Sequence, residues 1–428
     1  MNTTPVEISQ GKCNLLVPAL TAVLHWGVFW AVCFSAEISS AQNIPLGYEI
    51  KLVTARSGFD KQRCWVHPRA GVIPPGAAGN ESKTPLVVMT MQELLLSGSD
   101  VFYELNMMRT ADLGQTWQAP VPQKAFVRQQ RGENIEVIVC DFAPKWHAAS
   151  GQLLGTGQTA YYENNHIQAN RLRQPAYSFY DPAQGTWQPW KTVKLPAEEK
   201  FENAGAGSVQ RVDLPNGEIL LPIYFKPRRA TQYSTTVLRC RVEKDELKYV
   251  AHGDELTVPV KRGFAEPSLT KFQNRYYLTL RNDVQGYVTS GDDGQHFAAP
   301  QSWKFDDGSE LGNYNTQQHW VTHQAGLFLV YTRRGAENDH VFRHRAPLFM
   351  AQVDPEKLCV IRATERILIP QRGARLGNFG VVDVSPDETW VTVAEWMQPA
   401  GVEKHGSDNS VYAARILWSR PNGMTLGK

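Results

Sequence analysis

The chain has 428 residues, of which 42% are hydrophobic and 10% aromatic, and this composition excludes a largely disordered protein. Its 44 basic residues nearly balance its 42 acidic residues, so no overall charge directs it to nucleic acid or to acidic lipid. The 33 glycines and 26 prolines favour a turn-rich β fold, organised either as several domains or as one repeated unit.

The N-terminal segment has the features of an export signal. Residues 15–36 form an uncharged apolar stretch after Lys12, and the small residues at 39–41 suit signal peptidase. We therefore predict a secretory signal at 1–41, a folded domain at 42–428, and a periplasmic or extracellular location. The stretch is also long enough to span a bilayer, so an uncleaved N-terminal anchor is the alternative.

Two of the six cysteines fall in this segment, and the other four lie far apart in the sequence. Their spacing matches no zinc site, and an exported protein could oxidise one or two pairs of them. We expect instead four isolated thiols buried in strands, at Cys64, Cys140, Cys240 and Cys359.

Beyond Gly47 the chain alternates short β-patterned runs with turns rich in Gly, Pro, Asn and Asp. Helical periodicity is hard to find. The clearest predicted strands lie at 86–89, 218–223, 276–280, 327–331 and 390–394.

Segments of one type, a small or polar strand followed by a hairpin, recur at intervals of about 50 to 80 residues, each enough for a four-stranded sheet. They begin near Arg69, His147, Ser208, Ser268, Trp320 and Gly380. The spacing predicts an all-β fold, a six-bladed β-propeller, because such sheets bury both faces when they stack round an axis. A pair of β-sandwiches would instead show a break near the middle of the chain, and none is visible.

Two segments share a turn motif of the form Ser/Thr-x-Asp-x-Gly followed by an aromatic residue. Residues 110–117 read TADLGQTW and residues 290–297 read SGDDGQHF, with a degenerate third copy at 181–187. In such a turn the Asp accepts hydrogen bonds from backbone N–H groups, the Gly takes a positive φ, and the aromatic ring packs on the sheet.

This motif resembles the Asp box of bacterial-neuraminidase (BNR) repeats, and two good copies make the chain similar to the sialidase superfamily. The resemblance implies a sialidase-type propeller, in which the box itself has a structural role. Sialidases bind the substrate carboxylate with three arginines, and they use an aspartate as acid/base and a tyrosine nucleophile activated by a glutamate.

The resemblance assigns four of these roles at matching places in the chain. Arg69, in the strand that opens the first unit, is the first arginine, and Asp100, ahead of the first Asp box, is the acid/base. Glu266 opens a later unit as the activating glutamate. Arg281, at the end of the next strand, is the second arginine.

The later units depart from the family pattern. The third arginine is Arg333, Arg334 or Arg343. The last unit should hold the tyrosine but reads Gly-Asn-Phe-Gly at 377–380, so Tyr314, one unit earlier, is the nearest candidate nucleophile.

Three clusters are more polar than strand packing requires, at 140–147, 313–320 and 333–345. Their aromatic residues suit the faces of sugar rings, and paired arginines suit a carboxylate. Where no tyrosine serves, His147, His319 or Glu395 is a candidate base. The alternative for each cluster is hydrogen bonding between blades or a solvated surface.

We therefore expect an enzyme, an exo-acting glycoside hydrolase of sialidase type that removes an anionic, sialic acid-like terminal sugar. Its partner is then a carbohydrate, with no nucleic acid and no membrane contact beyond the N-terminal segment, and we expect a monomer. No cofactor fingerprint or metal motif is present in the sequence, although calcium held by carbonyl groups would leave no trace.

Three alternatives remain. A polysaccharide lyase would use a base and an arginine that neutralises a uronate. A glycan-binding propeller would keep the Asp boxes and the aromatic residues but would not need paired carboxylates at the axis. A structural or protein-binding propeller would need neither. In the hydrolase interpretation Arg69, Asp100, Glu266 and Arg281 line one cavity.

Overall fold

Antiparallel β-strands make up nearly all of the regular structure. The computed structural model describes residues 46–98, 100–168 and 172–425, and the predicted signal segment 1–41 lies outside them. Within these ranges the chain forms 29 strands and six short 3-10 helices. None of the helices in the described ranges is long and apolar enough to cross a membrane. The 3-10 helices cover Lys124–Phe126, Glu199–Phe201, Phe342–His344, Arg362–Thr364, Val402–His405 and Gly423–Thr425.

The strands form six sheets that follow one another along the chain. The N-terminal strand is β1, Tyr48–Arg56. The first sheet contains β2 Arg63–Ile73, β3 Leu86–Leu95, β4 Phe102–Thr110 and β5 Val121–Pro122. The second contains β6 Gln129–Gln130, β7 Ile135–His147, β8 Gln152–Glu163, β9 His166–Ile167, β10 Pro175–Asp181, β11 Thr186–Trp187 and β12 Lys191–Thr192.

The next two sheets have the same consecutive order. The third contains β13 Asn203–Gly205, β14 Val212–Asp213, β15 Glu218–Lys226, β16 Ser234–Glu243 and β17 Glu246–His252. The fourth contains β18 Ala265–Phe272, β19 Arg275–Arg281, β20 Tyr287–Gly291 and β21 Gln301–Ser302.

The last two sheets complete the chain. The fifth contains β22 His319–His323, β23 Gly326–Tyr331, β24 Leu348–Asp354, β25 Cys359–Val360 and β26 Arg366–Ile369. The sixth contains β27 Gly380–Ser385, β28 Glu388–Ala394 and β29 Val411–Trp418, with β1 as its outer strand. All five of the clearest strands predicted from the sequence lie within observed strands.

The two ends of the described chain meet in the sixth sheet. Strand β1 pairs antiparallel with β29, with Tyr48 opposite Trp418 and Thr54 opposite Tyr412. Strand β2 contacts both β7 and β27, and β18 contacts both β15 and β22, so each of these strands lies between its neighbouring sheets. The fold is therefore an all-β propeller, with at least five blades.

The hydrophobic core lies between neighbouring sheets. Between the first and sixth sheets, for example, Met89 packs with Trp390 and Ala413. Between the fourth and fifth, Val288 packs with Trp320 and Leu329 in the same way. Stacked sheets thus bury the faces that a single four-stranded sheet would leave in water.

The first Asp-box turn has the geometry predicted from its sequence. Asp112 accepts hydrogen bonds from the backbone N–H and the hydroxyl of Thr116, and Gly114 has a φ of 78°. A Cβ added at Gly114 would lie 3.2 Å from Trp390 of the sixth sheet, and the Trp117 ring is 6.0 Å from the Trp390 ring. The turn therefore packs on the neighbouring sheet.

The second Asp-box turn departs from the prediction in its aspartate. Asp293, not the predicted Asp292, accepts hydrogen bonds from the backbone N–H groups of Gln295 and His296. The Asp292 side chain is 87% exposed and lies beside Arg275. The degenerate third copy forms a similar turn, because Asp181 accepts bonds from the N–H groups that follow it.

All four cysteines outside the N-terminal segment are buried in strands with free thiols.

Candidate active site in the central cavity

A cavity of about 670 Å³ opens where residues of all six sheets and their loops meet, and we call it the central cavity. The residues that carry the argument below come from different sheets: Asp100, Asp141, Tyr224, Glu266, Arg281, Asn315, Arg345 and Asn378. A site that draws on every sheet of a propeller can form only after the ring has closed.

An unusual backbone conformation recurs on the innermost strands. His67, Asp141 and Glu266 have φ values of 56°, 54° and 44°, and the strand register shifts at each of them. Ser208 and Asn378 have similar values, 56° and 62°, at the corresponding places of the third and sixth sheets. A left-handed non-glycine residue costs about 1–3 kcal/mol, and such bulges redirect side chains at functional sites. Of these five residues, Asp141, Glu266 and Asn378 line the central cavity.

Glu266 and Arg281 form a buried ion pair in the cavity wall. Arg281 donates from Nη1 to Glu266 Oε1, and from Nη2 to Asn315 Oδ1 at 2.7 Å. Glu266 Oε2 has no protein hydrogen-bond partner. One oxygen of this carboxylate is thus held by Arg281, and the other is buried without a protein hydrogen-bond partner.

A second carboxylate, Asp141, accepts hydrogen bonds from protein donors at both of its oxygens. Its Oδ1 accepts from Ser208 Oγ at 2.7 Å and from Arg69 Nη2 at 3.3 Å, and its Oδ2 accepts from Gln158 Nε2 at 3.2 Å. Burial alone would raise the pKa of Asp141, but the charge of His67 in its protonated form, Arg69 and the Ser208 hydroxyl outweigh burial and hold that pKa well below its usual range. Asp141 is therefore ionised at neutral pH.

The neighbouring His67 is neutral under the same conditions. Burial lowers its pKa to about 4, although Asp141 opposes the shift. Its Nε2 lies 3.5 Å from Asp141 Oδ1 and accepts a hydrogen bond from Asn378 Nδ2 at 2.8 Å. Accepting at Nε2 leaves the ring hydrogen on Nδ1.

Cations outnumber anions around the cavity. Four carboxylates line it, and so do six arginines: Arg173, Arg262, Arg281, Arg343, Arg345 and Arg375. Burial, together with the charge of Arg343, lowers the pKa of Arg375 to about 10. Burial and the nearby Arg281 likewise lower the pKa of Arg345. Because these guanidinium groups repel one another in a partly dry site, an anionic ligand would stabilise them.

Aromatic rings flank the arginines at one side of the cavity. The Arg375 guanidinium lies 4.4 Å from the Trp396 ring centre and 5.0 Å from that of Phe342. Phe342 is 44% exposed. An exposed aromatic face beside a cationic pocket suits a sugar ring with a charged substituent.

Four of the ten site residues predicted from the sequence line the central cavity: Asp100, Glu266, Arg281 and Arg343. Arg69 is not among the lining residues, and its side chain donates hydrogen bonds to Asp141 and Ser208. Arg69 stands two residues after the left-handed His67. In the first sheet the bulge residue is therefore His67, which has the position that Glu266 has in the fourth sheet.

The other five predicted site residues lie outside the lining, each with a partner elsewhere. Tyr314 bonds to His344 at 2.6 Å, and Ser268 bonds to His319 at 2.7 Å. His147, at the far end of β7, contacts Ser150 Oγ at 2.7 Å and the Gly217 carbonyl at 3.1 Å. The remaining two are in ion pairs, Arg333 with Glu365 and Arg334 with Glu310.

Asp141, Arg345, Arg375 and Asn378 line the cavity but were not predicted as site residues. For two of them a local signal exists. Asp141 and Asn378, like Glu266, each stand two residues before the pairing of an innermost strand resumes. The two arginines lie in loops, and nothing near them in the sequence indicates where they point.

The cavity lining offers little for metal binding or thiol chemistry. The described ranges contain no group of three or more His, Cys, Asp or Glu side chains that could hold a metal ion. Cys140 lines the cavity, but burial raises its pKa well above the ordinary value, so its reactive thiolate form is suppressed.

No protein-family model and no curated protein matches the sequence. Solved structures do resemble the fold. A protein of unknown function from Dyadobacter fermentans has a TM-score of 0.56 at 14% identity, with 86% of this chain and 99% of that one covered. Trypanosoma rangeli sialidase in complex with the inhibitor DANA has a TM-score of 0.56 at 13% identity, with 83% and 55% covered. The NanB sialidase from Streptococcus pneumoniae has a TM-score of 0.57 at 11% identity, with 87% and 71% covered.

The chain thus spans about half the length of the Trypanosoma rangeli enzyme that it matches. Identities this low carry information about architecture alone. Together with the ring of sheets, they show that the chain adopts a sialidase-like β-propeller fold.

Proposed function

We propose that this protein is an exo-acting glycoside hydrolase of sialidase type that releases a terminal anionic sugar from glycans. The observation that carries the proposal is the central cavity, where Asp100 and Glu266 share one enclosed space with an excess of arginines. Glycoside hydrolysis needs an acid at the leaving oxygen and an anion or base on the other side of the sugar, and an anionic sugar needs cations.

In this proposal Asp100 is the acid/base. It lies in the loop before β4, in a left-handed conformation with a φ of 54°, and it lines the cavity. Its proton goes to the glycosidic oxygen as the bond to the anomeric carbon breaks. Arg281, Arg343 and Arg345 bind the negative group of the sugar, and Phe342 contacts the sugar face.

We also propose that all six sheets are blades, so that the propeller is six-bladed. A hydrophobic cluster fills each of the six junctions between consecutive sheets, including the one between the sixth and the first. Strand β2 contacts β27, which is the contact that a closed ring requires.

The proposal is tested with purified protein and a panel of sialosides, rhamnosyl-glucuronides and uronate polymers. We expect release of a free anionic sugar from at least one substrate. Asp100→Asn should lower kcat by about 10²–10⁴-fold, because the acid is lost while the cavity keeps its shape. The matched control is Asp213→Asn, in a carboxylate that pairs with Arg211 at 2.9 Å outside the cavity.

Other outcomes would contradict the proposal. An unsaturated product, detected by its ultraviolet absorbance, would indicate a polysaccharide lyase. Binding of the glycans with no product would indicate a glycan-binding propeller. Hydrolysis that Asp100→Asn leaves intact would remove Asp100 from the mechanism.

A further inference from the structure

We propose that Asp141 is the catalytic nucleophile of this site, and that the substrate therefore carries its carboxylate on a carbon other than the anomeric one, as hexuronic acids do. The inference rests on the proposed hydrolase function and deepens it, since it names both a catalytic residue and a substrate class.

The first support is the position of Asp141 in its sheet. Asp141 on β7 and Glu266 on β18 both have left-handed backbones at a register shift, two residues before pairing resumes at Ala143 and Ser268. The two carboxylates thus occupy equivalent places in the second and fourth sheets, and both line the central cavity. The fold retains an unfavourable backbone conformation at Asp141, as is typical of residues at functional sites.

The second support is the unequal use of the two Asp141 oxygens. Oδ1 accepts from both Ser208 and Arg69, whereas Oδ2 accepts from Gln158 at 3.2 Å and has only a long contact with Cys140 Sγ, at 3.9 Å. The side chain is 10% exposed, and Asp141 is one of the residues that line the cavity. Protonated His67, Arg69 and Ser208 together hold the pKa of Asp141 well below its ordinary range, so Oδ2 belongs to a carboxylate anion fixed by its neighbours.

The third support is that the other tyrosines and carboxylates of the cavity lining have other partners or roles. Burial raises the pKa of both lining tyrosines, and each hydroxyl bonds to a glutamine, Tyr161 to Gln174 at 3.0 Å and Tyr224 to Gln158 at 2.6 Å. Of the lining carboxylates, Glu266 bonds to Arg281 through Oε1 and its Oε2 is a buried atom, and Asp283 accepts two bonds from Arg262 at 2.6 and 2.8 Å. Asp100 has the acid role.

The chemistry balances in two steps. In the first, Asp141 Oδ2 bonds to the anomeric carbon, the glycosidic C–O bond breaks, and its electron pair goes to the leaving oxygen, which takes the proton of Asp100. In the second, water attacks the same carbon and gives a proton to the Asp100 carboxylate. The ester bond to Asp141 then breaks, with its electron pair returning to Oδ2.

The substrate class follows from charge. A carboxylate nucleophile that approaches an anomeric carbon bearing its own carboxylate meets a like charge at close range. A hexuronic acid places that group on C5, where the arginines of the cavity can bind it away from Asp141. We therefore expect the enzyme to prefer glucuronides to sialosides.

The test uses the full chain and three chromogenic or fluorogenic substrates: 4-nitrophenyl α-glucuronide, 4-nitrophenyl β-glucuronide and 4-methylumbelliferyl sialoside. We expect turnover of one glucuronide. Asp141→Asn should lower its kcat by about 10⁴-fold or more, whereas the buried-pair control Asp213→Asn keeps the wild-type rate. Far-ultraviolet circular dichroism establishes that each variant is folded.

A trapping experiment on the wild-type protein does not depend on the folding of any variant. Incubation with the 2-deoxy-2-fluoro-glucuronyl fluoride of the active anomer should add one glycosyl group, located by peptide mass spectrometry on Asp141. A label on Glu266 or any other residue overturns the inference, as does hydrolysis of the sialoside without hydrolysis of either glucuronide. In that second case the proposed hydrolase function stands, whereas it falls if no glycoside in the wider panel is cleaved.

Discussion

At the scale of single residues, the charged groups that line the central cavity lie next to a neutral imidazole buried behind the lining. Asp141 is held ionised by Arg69 and Ser208, and His67, only 3.5 Å away, is held neutral by burial. Arg345 and Arg375 are buried near other arginines, which lowers the pKa of both. Repulsion between buried arginines destabilises the ligand-free protein, and a bound anion would offset this destabilisation.

The buried histidines make the stability of the fold depend on pH. Burial lowers the pKa of His67 to about 4 and that of His319 to about 3, from an ordinary value of 6.5. Between about pH 6.5 and pH 4 the unfolded chain therefore binds more protons than the folded chain, and stability falls as the pH falls. We expect the free energy of unfolding in urea, measured from pH 7 to pH 4.5, to decrease steadily.

A substitution at His319 tests whether this histidine contributes to the pH dependence of stability. His319→Asn should reduce the slope of this decrease by up to about 1.4 kcal/mol per pH unit, which is the contribution of one titrating group. His166→Asn, at an exposed histidine, should leave the slope unchanged. An unchanged slope in His319→Asn would contradict the assignment.

At the scale of elements, turns and bulges decide what each sheet presents. Turns that begin at Asp112, Asp181 and Asp293 follow the third long strand of their sheets, and in each an Asp oxygen accepts backbone N–H groups. On the innermost strands the bulges at Asp141 and Glu266 direct one polar side chain toward the cavity. The Asp turn after the third long strand thus stabilises the sheet, whereas the bulge on the innermost strand brings a polar side chain to the cavity.

Two neighbouring aspartates in the second Asp-box turn can be compared directly, Asp293, which accepts backbone N–H groups, and the exposed Asp292. Asp293→Ala should lower the melting temperature, because the N–H groups of Gln295 and His296 lose their acceptor. Asp292→Ala should have little effect, since its side chain is 87% exposed. Differential scanning fluorimetry compares the two, and an equal loss in both variants would show that the predicted box aspartate also contributes.

At the scale of the whole molecule, stability comes from the junctions between sheets and from the strand that closes the ring. Strand β1 pairs with β29, so residues more than 350 positions apart lie opposite each other, as Tyr48 and Trp418 do. The adjoining junction, between the sixth and first sheets, contains the fully buried Trp390. Loss of packing there would weaken the contact that makes the propeller a closed structure.

Trp390→Ala should therefore destabilise the whole protein. We expect a loss of about 3–5 kcal/mol in the free energy of unfolding, the range for a large buried aromatic residue. Val121→Ala, at a side chain that is 55% exposed, should change it by no more than about 0.5 kcal/mol. Urea unfolding followed by tryptophan fluorescence measures both, and equal effects would contradict a closing role for this junction.

The sequence by itself determined the all-β class, the five clearest strands and the places of the Asp-box turns, and it predicted Glu266 and Arg281 as site residues on consecutive strands. These features depend on neighbours: alternating residues specify a strand, a few turn residues specify a turn, and β18 pairs directly with β19. Only the tertiary structure decided the rest of the site. Asp100 was predicted as a site residue, but Asp141, Arg345 and Asn378 were not, and all four come from distant parts of the chain that meet when the sheets close into a ring.

The same reason explains why several predicted residues lie elsewhere. Arg69 was predicted on the strand where it lies, β2, but after the bulge at His67 its side chain bonds to Asp141 and does not line the cavity. Arg333 and Arg334 follow β23, where carboxylates that are distant in sequence, Glu365 and Glu310, hold them. The direction of a side chain depends on register shifts and on partners that are distant in the sequence. Local sequence patterns carry no information about either.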